Sequence, residues 1–312
     1  MNQTDNVTLC VDIKMNPVSD VLMAICIMVL VLGITFHSLT AWPIVQQICS
    51  KNILAVYLFG LSVSDMLYIL TMPSWIYYYH NDHKWTLDRD ICKLTGFFYY
   101  SNMYISIYLL CCISIDRCLM VTFPLRVKAF RHYRNAWLIC GLIYVLVMSI
   151  HSVILKLDTS PAQPQQQPQQ QHCYETYPMT VPVALLNFLR VSAGFLLPLL
   201  ILTVCYCQIL CKVQKSVSVD EHSKRKIKLL SVGVIAIFSI CFTPYHILLL
   251  ARSVAFMRME SKDYCNFEQK LHLSFSSTLA LSSLNSVMDP LLYVLVSNGI
   301  REDMKRCCWR NS

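Results

Sequence analysis

Residues 111–125 read CCISIDRCLMVTFPL, and this stretch ends a long apolar run with an acid and a base side by side, Asp116 and Arg117. A charged side chain at the centre of a lipid-facing helix costs about 2.5–3.5 kcal/mol on insertion scales. The pair therefore belongs at a membrane interface or inside a bundle of helices.

The composition is that of a membrane protein. Of the 312 residues, 55% are hydrophobic and 14% are charged, whereas soluble domains carry roughly 25% charged residues. The mean hydropathy is +0.48. The 16 cysteines are too dilute for a disulfide scaffold, and most lie inside apolar runs, where a thiol behaves as a small hydrophobic group.

A helix that spans a bilayer needs about 20 largely apolar residues, and seven segments meet this length. The first segment begins too far into the chain and is too long for a signal peptide, so we expect it to be retained. The sequence thus predicts an all-α membrane protein, a bundle of seven transmembrane helices. The predicted spans are 20–48, 54–79, 92–122, 135–156, 181–211, 227–256 and 270–296.

An odd number of spans places the two termini on opposite sides of the membrane. Asn2 and Asn6 each begin a glycosylation sequon, which favours an extracellular N-terminus. With this orientation, 16 of the 26 Lys and Arg residues lie on the cytoplasmic side, in agreement with the positive-inside rule. The formal charge of +8 then faces membrane lipids and cytoplasmic partners, and nucleic-acid binding is not expected.

Three regions follow from these spans. Residues 1–19 form an extracellular tail, and residues 20–296 form the transmembrane domain, with a Gln- and Pro-rich insertion at 161–171 that cannot build a packed core. The basic residues of 297–312 predict a short cytoplasmic tail with an amphipathic helix, helix 8, on the inner leaflet. Two cysteines in this tail are candidate palmitoylation sites: Cys307 and Cys308.

Four motifs occur in order along the chain. They are LSVSDMLY in the second span, SIDRC in the third, CFTPYH in the sixth and SLNSVMDPLLY in the seventh. Together they resemble the motif set of class A, rhodopsin-like G protein-coupled receptors over nearly the whole chain. The stretches HSLTAW, NILAVYL, HKWTL, CCISIDR and MDPLLYVL are similar to the group of proton-sensing, lysophospholipid and oxidised-fatty-acid receptors. The resemblance implies a plasma-membrane receptor that couples to a heterotrimeric G protein.

The resemblance gives Asp116 and Arg117 a role in a G-protein switch. In the family, the acid holds the neighbouring Arg at the cytoplasmic end of the third span, and activation releases the Arg toward the G protein. The alternative is a pair that snorkels at the interface. The same switch includes three residues of the seventh span: Asp289, Pro290 and Tyr293.

The resemblance also implies a relay that carries helix movement inward. Prolines kink helices and give them pivots. Ordinary packing in the core is the alternative interpretation of its aromatic residues. The relay residues are Pro198, Ile107, Phe238, Phe242 and Pro244.

Two acids lie at membrane depth, Asp65 in the second span and Asp289 in the seventh. Such acids need a shared proton, a cation or polar partners. The resemblance implies a bound sodium ion, and a hydrogen-bonded cluster with one protonated carboxyl is an equal alternative. No other cofactor is expected. The remaining candidate sodium ligands are Asn102, Ser106 and Asn285.

The resemblance further implies a disulfide between Cys92, at the start of the third span, and Cys173, in the second outer loop. Both would face the oxidising side of the membrane, where disulfides persist. Cys10 and Cys265 are the other two outer cysteines, and their even number favours a second bridge between them.

Two bases lie near the outer ends of the fifth and sixth spans, Arg190 and Arg252. A pair of cations above an apolar cavity suits a lipid head group or a carboxylate, and snorkelling is the alternative for either residue. The other residues expected in this pocket are Tyr77, Tyr99, Tyr104, Tyr245 and His246.

Protons are the second ligand expected from the resemblance. A proton sensor needs groups that titrate between about pH 5 and 8, and histidine is the usual one. A lone histidine is more often a plain polar residue than a sensor. The histidines on or near the outer side are His80, His83, His172 and His272, and His151 lies within a span.

Three residues depart from the family pattern. His37 replaces an Asn in the first span, within reach of Asp65, Cys118 replaces the Tyr after Arg117, and Phe242 replaces a Trp. Two explanations remain open. One is a divergent receptor, such as a virus-captured copy, with altered basal activity. The other is a receptor that couples poorly and acts as a scaffold, decoy or dimer partner of other receptors.

Other functional classes are disfavoured. The sequence carries no nucleophile and base pair or metal-ligand spacing that indicates an enzyme. It also lacks the internal repeat of a transporter built from two halves, so Asp65 and Asp289 do not indicate transport.

Overall fold

The computed structural model describes residues 19–81, 83–123, 131–158, 173, 179–216 and 221–296. Several predictions lie outside these residues and stay predictions: the N-terminal tail with its sequons, the insertion at 161–171, and the tail from 297 with helix 8 and its two cysteines. His172 and Cys10 also lie outside them.

The described residues form helices and no strands. Six helical segments are long and apolar enough to cross a membrane, and two shorter helices make up the seventh span. This agrees with the predicted all-α bundle. The helices are Ser19–Cys49, Ile53–Ile69, Met72–His80, Arg89–Thr122, Tyr133–Asp158, Val181–Val191, Leu197–Lys215, Glu221–Arg258, Ser261–Ser283 and Asn285–Val296, with a π-helical turn at Ser192–Leu196.

Prolines explain two interruptions within spans. Proline has no N–H to donate and its ring clashes with the preceding turn. The second span breaks at Leu70 and Thr71, directly before the helix that has Pro73 in its first turn. The fifth span widens into the π turn Ser192–Leu196 directly before Pro198. Such π turns often occur at functional sites.

The seventh span differs from the other six. Two helices form it, Ser261–Ser283 and Asn285–Val296, and it breaks at Leu284. The first of these helices is polar rather than apolar, with many serines, so its composition does not mark it as a span. Its polar groups include Ser276, Ser282 and Ser283, which are buried against the other spans.

The spans pack into a closed bundle with the third span near its centre. The third span contacts the second, fourth and fifth, the sixth contacts the fifth and seventh, and the first contacts the second and seventh. Gly60 in the second span allows close packing, since a Cβ there would lie 2.5 Å from Sγ of Cys140. Apolar side chains such as Leu138, Leu200 and Ile240 are exposed on the outside, where the bilayer would cover them.

One end of the bundle carries a disulfide between Cys92 and Cys173, whose Cα atoms lie 5.6 Å apart. The predicted bridge is therefore confirmed. We call this the disulfide end and the opposite one the Arg117 end. Cys265, also at the disulfide end, is disulfide-bonded as well, and its partner lies outside the described residues.

Candidate functional site

Arg252, at the disulfide end of the sixth span, is neutralised by the seventh span. Its Nε donates to both carboxylate oxygens of Glu268 at 2.9 Å, and its guanidinium lies 4.1 Å from the ring centroid of Phe275. Both partners of the ion pair are buried. The sequence predicted Arg252 as an anchor for an anionic ligand, but its charge is already balanced inside the protein.

Arg190, in the fifth span, has a different environment. Its Nη1 donates to Oδ1 of Asn187 at 3.1 Å, and the guanidinium lies 5.1 Å from the ring centroid of Tyr100. No carboxylate pairs with it among the described residues, and its buried Nε has no hydrogen-bond partner there.

His246 and Tyr104 lie in the bundle near Arg190. Nδ1 of His246 contacts the carbonyl oxygen of Phe242 at 2.8 Å, and Nε2 lies 3.3 Å from the hydroxyl of Tyr104. Because a carbonyl only accepts, Nδ1 carries the hydrogen, and Nε2 of the neutral ring accepts from Tyr104. Tyr245 is fully buried, with its ring 4.9 Å from that of His246.

His151, in the fourth span, completes this cluster. Its Nδ1 donates to the carbonyl oxygen of Val147 at 2.9 Å, and its ring stacks on Tyr104 at 5.4 Å. The remaining nitrogen, Nε2, is a buried acceptor with no partner in the described part of the chain. Arg190 interacts electrostatically with this ring. The site thus offers an unused cationic donor and an unused neutral acceptor.

Two predicted pocket residues lie elsewhere. The hydroxyl of Tyr99 donates to the carbonyl oxygen of Leu279 at 2.7 Å and contacts Oγ of Ser282, so it joins the third and seventh spans. Tyr77 is 38% exposed, and its hydroxyl pairs with that of Thr86. We call the residues that do come together the anion cluster: Arg190, His151, Tyr104, Tyr245 and His246.

An aromatic column connects the anion cluster with the predicted relay. The ring of His246 stacks on Phe195 at 4.4 Å, Phe195 stacks on Phe238 at 6.0 Å, and Phe238 meets Phe242 edge to face at 5.1 Å. Two other relay residues are also buried. Ile107 is fully buried, and the carbonyl of Pro198 accepts from the thiol of Cys111. Pro244 interrupts the sixth span between Phe242 and His246.

The predicted polar cluster forms at the middle of the bundle. Nδ2 of Asn102 donates to Oδ1 of Asp65 at 2.9 Å, and Nδ2 of Asn285 donates to Oδ2 of Asp289 at 2.8 Å. The carboxyls of Asp65 and Asp289 interact with each other and are fully buried.

Four buried oxygens of this cluster have no hydrogen-bond donor among the described residues: Asp65 Oδ2, Asp289 Oδ1, Asn285 Oδ1 and Ser106 Oγ. Carboxylate, amide and hydroxyl oxygens are the ligands of hard cations, so the residues fit sodium. A bound sodium ion would supply positive charge between the two acids.

At the Arg117 end, Asp116 has a partner that the sequence analysis missed. Arg131 donates to both of its carboxylate oxygens, from Nε at 2.6 Å and from Nη2 at 2.8 Å. The resemblance implied an interaction between Asp116 and Arg117, which is present, and Arg131, just before the fourth span, binds the same carboxylate. A planar guanidinium matches a carboxylate in this way because two N–H groups of the one face two oxygens of the other.

Arg117 also lies close to the fifth span. It interacts electrostatically with Tyr206, whose hydroxyl accepts from Oγ of Ser114 at 3.1 Å. Cys118, in place of the family Tyr, donates to Oε1 of Gln208 at 3.3 Å. Pro290 and Tyr293 belong to the last helix, and the side chain of Tyr293 lies outside the described part.

Sequence reasoning did not assign three residues of these sites: Glu268, Arg131 and Tyr206. Each pairs with a residue on another span, so the rotation of the helices is needed to reveal it. His151 was named as a histidine within a span, and its place beside Arg190 was not predicted.

Comparison with known proteins agrees with this architecture. The family described as 7 transmembrane receptor (rhodopsin family) matches residues 37–293. The chain is 37% identical over 288 residues to the probable G-protein coupled receptor 132 of Mus musculus, covering 92% of this chain and 73% of the relative.

Two further relatives have similar identity. G-protein coupled receptor 68 of Bos taurus is 34% identical over 304 residues, 97% of this chain and 81% of the relative. G-protein coupled receptor 65 of Homo sapiens is 33% identical over 260 residues, 83% of this chain and 77% of the relative. These relatives confirm the receptor group that the motifs resemble. The chain belongs to the rhodopsin family of seven-transmembrane receptors, which transduce signals through G proteins.

Proposed function

We propose that this chain is a plasma-membrane receptor that binds an anionic lipid at its disulfide end and activates a G protein at its Arg117 end. The N-terminus and the disulfide end face outward, where an oxidising environment maintains the bond between Cys92 and Cys173.

The observation that carries the proposal concerns two buried nitrogens, Nε of Arg190 and Nε2 of His151, neither of which has a hydrogen-bond partner among the described residues. The first suits a carboxylate, and the second accepts a hydrogen bond from a hydroxyl. A fatty acid with a hydroxyl group along its chain offers both, and its apolar remainder suits the aromatic residues around them. This favours an oxidised fatty acid over a lysophospholipid.

The aromatic column supplies a physical route for the signal. A ligand that contacts Tyr104 changes the hydrogen bond to His246, and His246 stacks on Phe195. Phe195 in turn contacts Phe238, which lies six residues before Pro244 in the sixth span. Because the side chains of a protein interior are closely packed, a small shift at one contact is taken up by movement of a whole helix.

The test is G-protein activation in cells that express the full chain, across G-protein subtypes, with surface expression measured in parallel. The ligands are long-chain fatty acids with and without a mid-chain hydroxyl, and lysophospholipids. We expect the hydroxy acid to be the most potent, R190Q to weaken it by about tenfold or more, and R117A to abolish the response. Equal potency of the hydroxy acid on R190Q and the wild type would contradict the proposal.

Proton sensing is a second candidate function, which one observation favours. The rings of His83 and His272 are buried with their centroids 6.1 Å apart, and they come from different parts of the chain. Histidine changes charge between about pH 5 and 8, so two adjacent rings that both gain a proton would repel each other. Tyr78 and Tyr79 flank His83, each at 5.2 Å.

This candidate predicts activation without added lipid when the external pH is stepped from about 8 to 6. H83F combined with H272F would remove that response and leave the lipid response intact. A pH response that survives in the double variant would contradict a role for this pair.

A further inference from the structure

We infer that His37 weakens sodium binding at the polar cluster by holding the N–H edge of its ring beside Asp65. His37 stands where the family carries an Asn, and it is 2% exposed, on the first span facing the second and seventh.

The hydrogen bonds of His37 define which nitrogen faces the acid. Nε2 lies 3.0 Å from the carbonyl oxygen of Ser286, and Nδ1 lies 2.9 Å from the hydroxyl of Ser62. A carbonyl oxygen only accepts, so Nε2 carries a hydrogen in either charge state of the ring. The hydroxyl of Ser62 can donate or accept, so it is compatible with both states.

The same N–H faces one of the oxygens that sodium would need. Nε2 of His37 lies 3.6 Å from Oδ2 of Asp65, and that oxygen has no hydrogen-bond donor among the described residues. The other oxygen of Asp65 already accepts from Asn102. A sodium ion that binds Asp65 must therefore share Oδ2 with the positive edge of the imidazole ring.

An Asn at position 37 would relieve this competition, because its amide is shorter than the imidazole ring and would reach less far toward Oδ2 of Asp65. The donor set of the cluster otherwise fits sodium, with unused oxygens on Asp289, Asn285 and Ser106. Electrostatic repulsion is strong in a buried site, since little water screens it. Wild-type receptor is therefore poorly responsive to sodium, and H37N regains sodium binding.

The test is the thermal unfolding of purified receptor, with sodium chloride replacing choline chloride at constant ionic strength. A ligand that binds the folded state raises the melting temperature by an amount that grows with the logarithm of its concentration relative to its dissociation constant. We expect 150 mM sodium to raise the melting temperature of H37N by at least about 2 °C. The rise in the melting temperature of the wild type should be less than half as large. In the background of H37N, D65N removes the carboxylate and should abolish the shift.

Equal shifts in the wild type and H37N, including no shift in both, would overturn the inference. H37Q is the second variant if H37N does not fold, since it also removes the ring. Sodium-23 NMR line broadening provides a measurement on the wild type alone. This measurement is made at the sodium concentration that half saturates H37N. If the wild type broadens the sodium line there and D65N removes the broadening, the wild type binds sodium at Asp65 and the inference is overturned.

Discussion

Arg252 and Arg190 are the same residue type at the same end of the bundle, yet they have opposite environments. Arg252 is held by both oxygens of Glu268 and by the face of Phe275, whereas Arg190 contacts the amide of Asn187 and the ring of Tyr100. The first arginine joins the sixth span to the seventh. The second has a buried N–H donor, Nε, that finds no partner in the described part of the chain. A buried cation is available for binding only where the fold has not already neutralised it.

The largest expected effect is on stability, from E268Q. This change leaves the buried charge of Arg252 without its carboxylate, which costs about 3–5 kcal/mol for a buried pair. We expect a clear drop in the melting temperature of the purified receptor. Combining E268Q with R252M should recover most of the loss, because no buried charge is then left unpaired. An unchanged melting temperature in E268Q would mean that the pair does not stabilise the bundle.

The second prediction compares an acid ligand with its methyl ester. Hydrogen bonds to charged groups contribute about 1.5–3 kcal/mol, so the ester should be roughly tenfold to a hundredfold less potent on the wild type. R190Q should respond to both ligands with the same potency. The double variant R252M/E268Q should keep the wild-type ratio of potencies. If R252M/E268Q no longer distinguishes the acid from the ester and R190Q still does, then Arg252, and not Arg190, binds the carboxylate of the ligand.

The third prediction concerns the support of the anion cluster. Gly194 lies in the π turn, and a Cβ there would come within 2.6 Å of Cε1 of Tyr104. G194A should displace Tyr104 from His246 and lower ligand potency by about tenfold, within the usual cost of overpacking. G141A is the matched control, because a Cβ at Gly141 meets no atom within 4 Å. Equal potencies of the two variants would exclude a role for this close approach.

The smallest effect is expected at the Arg117 end, from R131Q. The side chains of Arg131 and Asp116 are 26% and 11% exposed, so their pair contributes only about 1 kcal/mol. Without Arg131, Asp116 acts on Arg117 alone and holds it more strongly, so ligand-free G-protein activation should fall by about two- to fivefold. R134Q removes a nearby exposed charge and is the control. Basal activation that rises in R131Q would contradict this assignment.

The sequence predicted the features that depend on order along the chain. Apolar length predicted all seven spans, and the motif around Asp289 supported the seventh, whose first helix is more polar than the other spans. The bridge between Cys92 and Cys173 followed from the same resemblance and is present. These features need no knowledge of how each helix is rotated.

Partners on different spans could not be predicted, because pairing depends on helix rotation. Arg252 and Arg190 have similar sequence surroundings, and nothing near either indicates that Glu268 selects Arg252. Tyr77 and Tyr99 were expected beside Tyr104, yet the break before Pro73 and the bond to Leu279 direct them elsewhere. The π turn that brings Gly194 to Tyr104 also has no simple sequence signature.

The polarity of the seventh span has a consequence for biosynthesis. A segment enters the bilayer from the translocon according to its own hydrophobicity, and serines, an amide and an acid make insertion of this one unfavourable in isolation. Some of its buried polar groups bond to spans made earlier, as Ser282 does to Tyr99 of the third. The last helix to be synthesised therefore depends on the preceding six for its place in the membrane, and a substitution deep in the bundle can reduce the amount of receptor at the cell surface before it affects any signal.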